Sequence, residues 1–90
     1  MKLSIVICSY NRAQYIRDAL DSLYKQTTSL SDFEVMLVDN NSTDGTAEVY
    51  ESWRELHPEG NFQYLTEHQQ GASFARNTGA AHAQSDWLCF

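Results

Sequence analysis

Short apolar runs rich in β-branched residues alternate along this chain with segments of helical periodicity, and that alternation decides what it can fold into. The first run, Leu3-Ser4-Ile5-Val6-Ile7-Cys8, is almost continuously apolar, as befits a strand covered on both faces. Over residues 13–26 the period changes. Ile16, Ala19, Leu20, Leu23 and Tyr24 recur at helical spacing, and Arg17, Asp18, Asp21 and Lys25 take the opposite face. Residues 27–32 read as a loop and 33–38 as a second buried strand, which runs into Asp39-Asn40-Asn41-Ser42-Thr43-Asp44-Gly45. A second helix over residues 46–57 puts Val49, Tyr50, Trp53 and Leu56 on one side, and Pro58 and Gly60 close it. Phe62 and Tyr64 alternate through a third strand. A third helix, starting near Gly71, lines one face with Ala72, Ala75, Gly79, Ala80 and Ala83, small enough to let it lie close to a sheet. Residues 87–90 begin a fourth strand. The order β-α-β-α-β-α-β predicts an α/β fold with one parallel sheet and helices on both faces.

Ninety residues suffice for one such domain and not two. The net charge of −6 argues against a nucleic-acid partner, because the six basic residues are scattered and form no run. Cys8 and Cys89 sit in apolar runs, with no His or Cys at ligand spacing. They read as buried, reduced thiols of a cytoplasmic protein rather than a zinc site or a disulfide framework. The apolar run after Lys2 is too short for a signal peptide and is not followed by a small-residue cleavage site. No run is long enough to span a membrane, so no membrane segment is expected in this chain.

In a parallel sheet of this kind the loops after the carboxyl ends of strands gather at one edge, where ligands bind. Here those loops are residues 9–12, 39–45 and 67–71, the most polar segments of the chain. The turn after the first strand, Ser9-Tyr10-Asn11-Arg12, holds no glycine, which weakens any dinucleotide-binding or P-loop reading.

Val6-Ile7-Cys8-Ser9-Tyr10-Asn11-Arg12, then Val38-Asp39-Asn40-Asn41-Ser42-Thr43-Asp44-Gly45-Thr46, then Gly71-Ala72-Ser73-Phe74-Ala75-Arg76-Asn77-Thr78-Gly79, together resemble the family 2 glycosyltransferases of the GT-A fold. The three motifs fall in order at the expected strand ends, and the resemblance covers essentially the whole chain. It departs at Asn40, where an Asp is common. The resemblance implies a three-layer, Rossmann-like parallel sheet of order 3-2-1-4, an incomplete GT-A domain. Residues 1–90 would be its N-terminal nucleotide-sugar-binding part. It further implies a parent enzyme that transfers a sugar from a nucleoside diphosphate sugar, with UDP or TDP as the carrier, to an acceptor hydroxyl. Mg²⁺ or Mn²⁺ would serve that parent, held by an Asp-x-Asp expected just after Phe90. On this reading the 90-residue chain binds no metal alone, carries no catalytic residue and is inactive by itself. A homodimer through the exposed C-terminal edge, with Trp87, Leu88, Cys89 and Phe90 as its apolar contact, is also expected. The alternative is a stand-alone nucleotide-binding or regulatory module without catalysis.

By the same resemblance Ser9, Tyr10, Asn11, Asp39 and Arg76 bind the nucleotide. Ser9 and Tyr10 would line the nucleoside pocket, Asp39 would accept from the imide N–H of the base, and Arg76 would reach phosphate or base oxygens. Each has a plainer reading. Asn11 serves equally as the cap of the first helix, Asp39 as a partner for the helix that follows, and Arg76 as a surface cation. Ser42, Thr43 or Asp44 would cap the second helix, and His68 is an isolated loop histidine.

Overall fold

The computed structural model describes residues 3–25 and 32–85, together with the backbone of residues 88–89. β1 (Leu3–Ser9), α1 (Ala13–Tyr24), β2 (Phe33–Asp39), α2 (Thr46–Leu56), β3 (Asn61–Thr66), α3 (Ala72–His82) and β4 (Leu88–Cys89) follow one another in the predicted alternation. The strands form one parallel sheet in the order β3-β2-β1-β4. β2 is paired on both edges and covered on both faces, so all seven of its residues are buried.

Alternation along β2 sorts its side chains between two cores. Phe33, Val35 and Leu37 join Ile16 and Leu20 of α1, Tyr50 and Trp53 of α2 and Phe62 of β3. Met36 and Val38 face the other way and pack with Val6 and with Ala75 of α3. The two helix layers are built differently. Under α1 and α2 the contact is aromatic: Trp53 meets Tyr24 edge-on at 5.7 Å and Phe62 at 5.1 Å. The Trp53 indole N–H also donates to Asp21 Oδ1 at 2.7 Å, tying α2 to α1. Under α3 the contact is nearly side-chain-free. A Cβ on Gly79 would stand 2.4 Å from Val6 Cγ1, so only glycine lets the helix come this close.

Two expectations change. Leu56 is 76% exposed, because the last turn of α2 extends past what the core covers. Beyond it, Arg54 donates to the carbonyls of His57, Glu59 and Gly60, and its guanidinium lies 5.4 Å from the Phe62 ring centre. Cys8, expected buried, is exposed. It faces an open space that it shares with Ala72 and Ala75, small residues near the start of α3. The side chain of Cys89 and the homodimer contact through residues 87–90 lie outside the described residues.

A buried carboxylate fastens the far end of the sheet. Glu34 is fully buried, and its Oε2 accepts from the Ser4 hydroxyl and from the Gln84 N–H, both at 2.6 Å. The chain leaving α3 is thereby pinned to β1 and β2 just before it turns into β4.

The contact between Gly79 and Val6 yields a direct test. Gly79→Ala is expected to cost about 1–3 kcal/mol through overpacking, read from the urea unfolding midpoint. Val6→Ala in the same chain should recover part of that loss, because the two positions share one space.

Candidate functional site

The loops that end β1 and β2 and open α3 meet at the carboxyl edge of the sheet, and one residue joins them. Asn40, 5% exposed, spends every polar group it has there. Its backbone N–H donates to Ser9 O at 2.7 Å, which extends the β1–β2 pairing by one step. Its side-chain Nδ2 donates to Glu67 O and Gln69 O at 3.1 and 2.7 Å, and its Oδ1 accepts from Gly71 N at 2.8 Å. A carboxylate of the same shape could accept from Gly71 but could donate to neither carbonyl. Gly71, at φ +136°, is in a conformation that favours glycine, and its carbonyl accepts the first two bonds of α3 from Phe74 and Ala75.

A second set of bonds clips the β1 loop to the β2 loop. Asn11, in the left-handed region at φ 51°, donates its N–H to Ser42 Oγ and accepts from Thr43 N through Oδ1, each at 2.9 Å. Asn11 is therefore not the cap of α1. Arg12 takes the cap position without a side-chain bond, and the free Ala13 N–H is taken by Asp44 Oδ2 from the other loop at 3.0 Å. Nor does Ser42, Thr43 or Asp44 cap α2, which starts from Gly45 at φ +84°. Asp44 Oδ1 accepts the Thr46 hydroxyl at 2.6 Å instead.

The edge so assembled holds an open cleft of about 290 Å³, lined by Cys8, Ser9, Tyr10, Asn40, Gln70, Gly71, Ala72 and Ala75. Of the residues singled out by sequence, Ser9 and Tyr10 line it. Ser9 is 2% exposed, and its hydroxyl has no hydrogen-bond partner among the described residues. Tyr10 leaves half of its surface to solvent. Arg76 is exposed on α3, near enough for its charge to act on the Cys8 thiol, whose pKa partial burial raises and Arg76 draws back. Asp39 is not in the cleft wall. It belongs to the alternate face of β2, where Oδ1 accepts from Ser42 N at 3.0 Å and Oδ2 accepts from the Tyr64 hydroxyl. His68 is exposed and does not line the cleft.

Sequence reasoning missed Asn40 and Tyr64. Asn40 was visible only as a departure from a motif, and its partners lie about thirty residues away. Among the described residues no group of three or more His, Cys, Asp or Glu stands close enough to hold a metal ion.

Two outcomes follow from this network. Asn40→Asp should destabilise the chain by about 1–3 kcal/mol, because it sets a carboxylate against two carbonyls. Faster hydrogen exchange at Gly71 is the local readout. The Asp44 carboxyl is held below its ordinary value of 3.8, chiefly by the Thr46 hydroxyl and then by Ala13 N–H. A lowered folded value stabilises the fold above the unfolded value and loses that contribution as pH falls through the folded one. Asp44→Asn should accordingly flatten the part of the acid stability limb that lies below pH 3.8, measured by urea unfolding at stepwise lower pH.

The architecture and the sequence are shared with known proteins. Glycosyltransferase AglE of Haloferax volcanii is 37% identical over 89 residues, which is 98% of this chain and 29% of that protein. A mannosyltransferase of Pyrobaculum calidifontis, solved with GDP-Man and Mn²⁺, superposes with a TM-score of 0.88 at 33% identity, over 92% of this chain and 24% of that one. TarS of Staphylococcus aureus, solved with UDP-GlcNAc, gives 0.85 at 31% identity, over 98% of this chain and 25% of that one. The chain thus spans less than a third of the length of each of these proteins. The model of glycosyl transferase family 2 matches residues 4–90, and the chain belongs to that family.

Proposed function

We propose that residues 1–90 recognise the nucleotide for an enzyme that transfers a sugar from a nucleoside diphosphate sugar to an acceptor hydroxyl. The observation that carries this reading is the cleft at the carboxyl edge of the sheet, where three family motifs are knitted together around Asn40. Each residue has a chemical part to play. The Ser9 hydroxyl, buried and without a partner among the described residues, is available to a sugar hydroxyl or carbonyl. Tyr10 offers a ring face for a planar base. Asn11 works through the loop, since Thr43 already occupies its amide oxygen. Arg76, charged and exposed on the first turns of α3, suits phosphate or base oxygens.

Asp39 accepts a ring N–H flanked by carbonyls, as uracil and thymine present it, which makes UDP or TDP the carrier. TarS is solved with UDP-GlcNAc, whose uracil offers that N–H between two carbonyls, and the mannosyltransferase with GDP-Man, whose guanine offers a ring N–H beside one carbonyl. A divalent metal, when bound in such an enzyme, neutralises the departing diphosphate as a Lewis acid. The described residues offer no ligand set for it, so no step here runs through the metal. No helix among them is long and apolar enough to cross a membrane.

Titrating UDP into the ¹⁵N-labelled chain tests the reading. Amide shifts are expected at Ser9, Tyr10, Asn40 and Gly71, with binding roughly tenfold weaker in Asp39→Ala. Equal affinity in both proteins would remove Asp39 from the role, and no shifts in the wild type would remove the site.

A further inference from the structure

Asp39, 6% exposed, ends β2, and two donors from different parts of the fold hold its carboxylate. Ser42 N–H reaches Oδ1 at 3.0 Å, but Ser42 lies three residues along the same loop and moves with that loop. The Tyr64 hydroxyl, on Oδ2, does not. Tyr64 stands in β3 opposite Leu37, two residues before Thr66, which is the register partner of Asp39. Its ring packs against Tyr50 of α2 with centroids 5.3 Å apart. Sheet and core therefore fix the phenol, and the phenol fixes the rotation of the carboxylate about its Cβ–Cγ bond. Without it, a single N–H from a loop would remain, satisfied by either oxygen.

The hydroxyl also sets the polarity of the site. It has one proton and gives it to Asp39. A carboxylate that accepts from two donors keeps two lone-pair positions, and both are acceptors. Burial, reinforced by the bond to Asp39, raises the pKa of Tyr64 far above neutrality, so the proton stays in place. Resting on the reading of Asp39 as the nucleobase acceptor, we propose that Tyr64 is a positioning residue for nucleobase selection. It locks the Asp39 carboxylate so that the site takes bases with a ring N–H (uracil, thymine, guanine). Bases that offer a ring-nitrogen lone pair at that place, cytosine above all, are refused.

UDP and CDP share ribose and diphosphate, so the ratio of their affinities isolates the base. The wild-type chain is expected to prefer UDP by roughly tenfold or more. Tyr64→Phe keeps the ring and removes the hydroxyl. It should lose about tenfold in UDP affinity and leave CDP within about twofold, so the preference collapses. General loosening of the sheet would weaken both nucleotides by one factor, and that result, or an unchanged ratio, would overturn the proposal. A wild type that binds UDP and CDP equally overturns the selectivity. One that binds neither overturns the nucleotide reading and this inference with it. Asp39→Asn brings an amide donor and should also lose the UDP preference. Adding Tyr64→Phe to it should change nothing further, because Tyr64 acts through Asp39. Additive losses in that double variant would show that Tyr64 acts elsewhere. The double variant leaves no buried charge unpaired, and so carries the comparison should the loss of the hydroxyl alone unfold the chain.

Discussion

The bonds of Asn40 hold the carboxyl edge of this domain's sheet together. Three loops come from separate strands, and none can order itself, because each is short and polar. A single buried amide supplies two donors to the β3–α3 loop and one acceptor to Gly71, while its backbone N–H prolongs the β1–β2 pairing. An unsatisfied buried polar group is costly, and a primary amide is the smallest side chain able both to donate twice and to accept. Gly71 follows from the same geometry. Its N–H meets Asn40, its carbonyl starts α3, and the start of α3 forms one wall of the cleft.

Polar residues bracket the apolar length of β2. At the amino end Glu34 accepts from Ser4 and Gln84, and at the carboxyl end Asp39 accepts from Ser42 and Tyr64. Between them the strand is apolar and buried on both faces. The buried carboxylates thus act where the chain must be directed: Glu34 holds the approach to β4, and Asp39 holds the loop toward α2. Neither has an Arg or Lys beside it among the described residues, so the arrangement relies on hydrogen bonds rather than ion pairs.

Most of the fold was legible because its signals are local. The period change between residues 8 and 13, the aromatic face of α2 and the small-residue face of α3 all follow from neighbours in sequence. The errors share one cause. Leu56 has the right periodicity but lies past the end of the core, and Cys8 borders an open cleft that the small residues of α3 leave unfilled. Asn11 looked like a helix cap because caps are usually local, yet the donor it was expected to satisfy is met by Asp44, 31 residues away. The motif positions Ser9 and Tyr10 line the cleft, whereas Asn40 and Tyr64 depend on partners 25 to 31 residues distant that no spacing rule reveals.

Consecutive residues of a strand point to opposite faces, and this has a consequence for the site. Asn40 lines the cleft on the α3 side, so Asp39 must turn toward α1 and α2, where Tyr64 finds it. No rotamer change brings both side chains to one wall. A ligand that touches Asp39 and also fills the cleft has to pass over the end of β2. A nucleoside diphosphate has the length and the single-bonded joints for that path, and a compact ligand does not. On the proposed nucleotide reading, the separation of Asp39 from the cleft calls for an elongated ligand that reaches both.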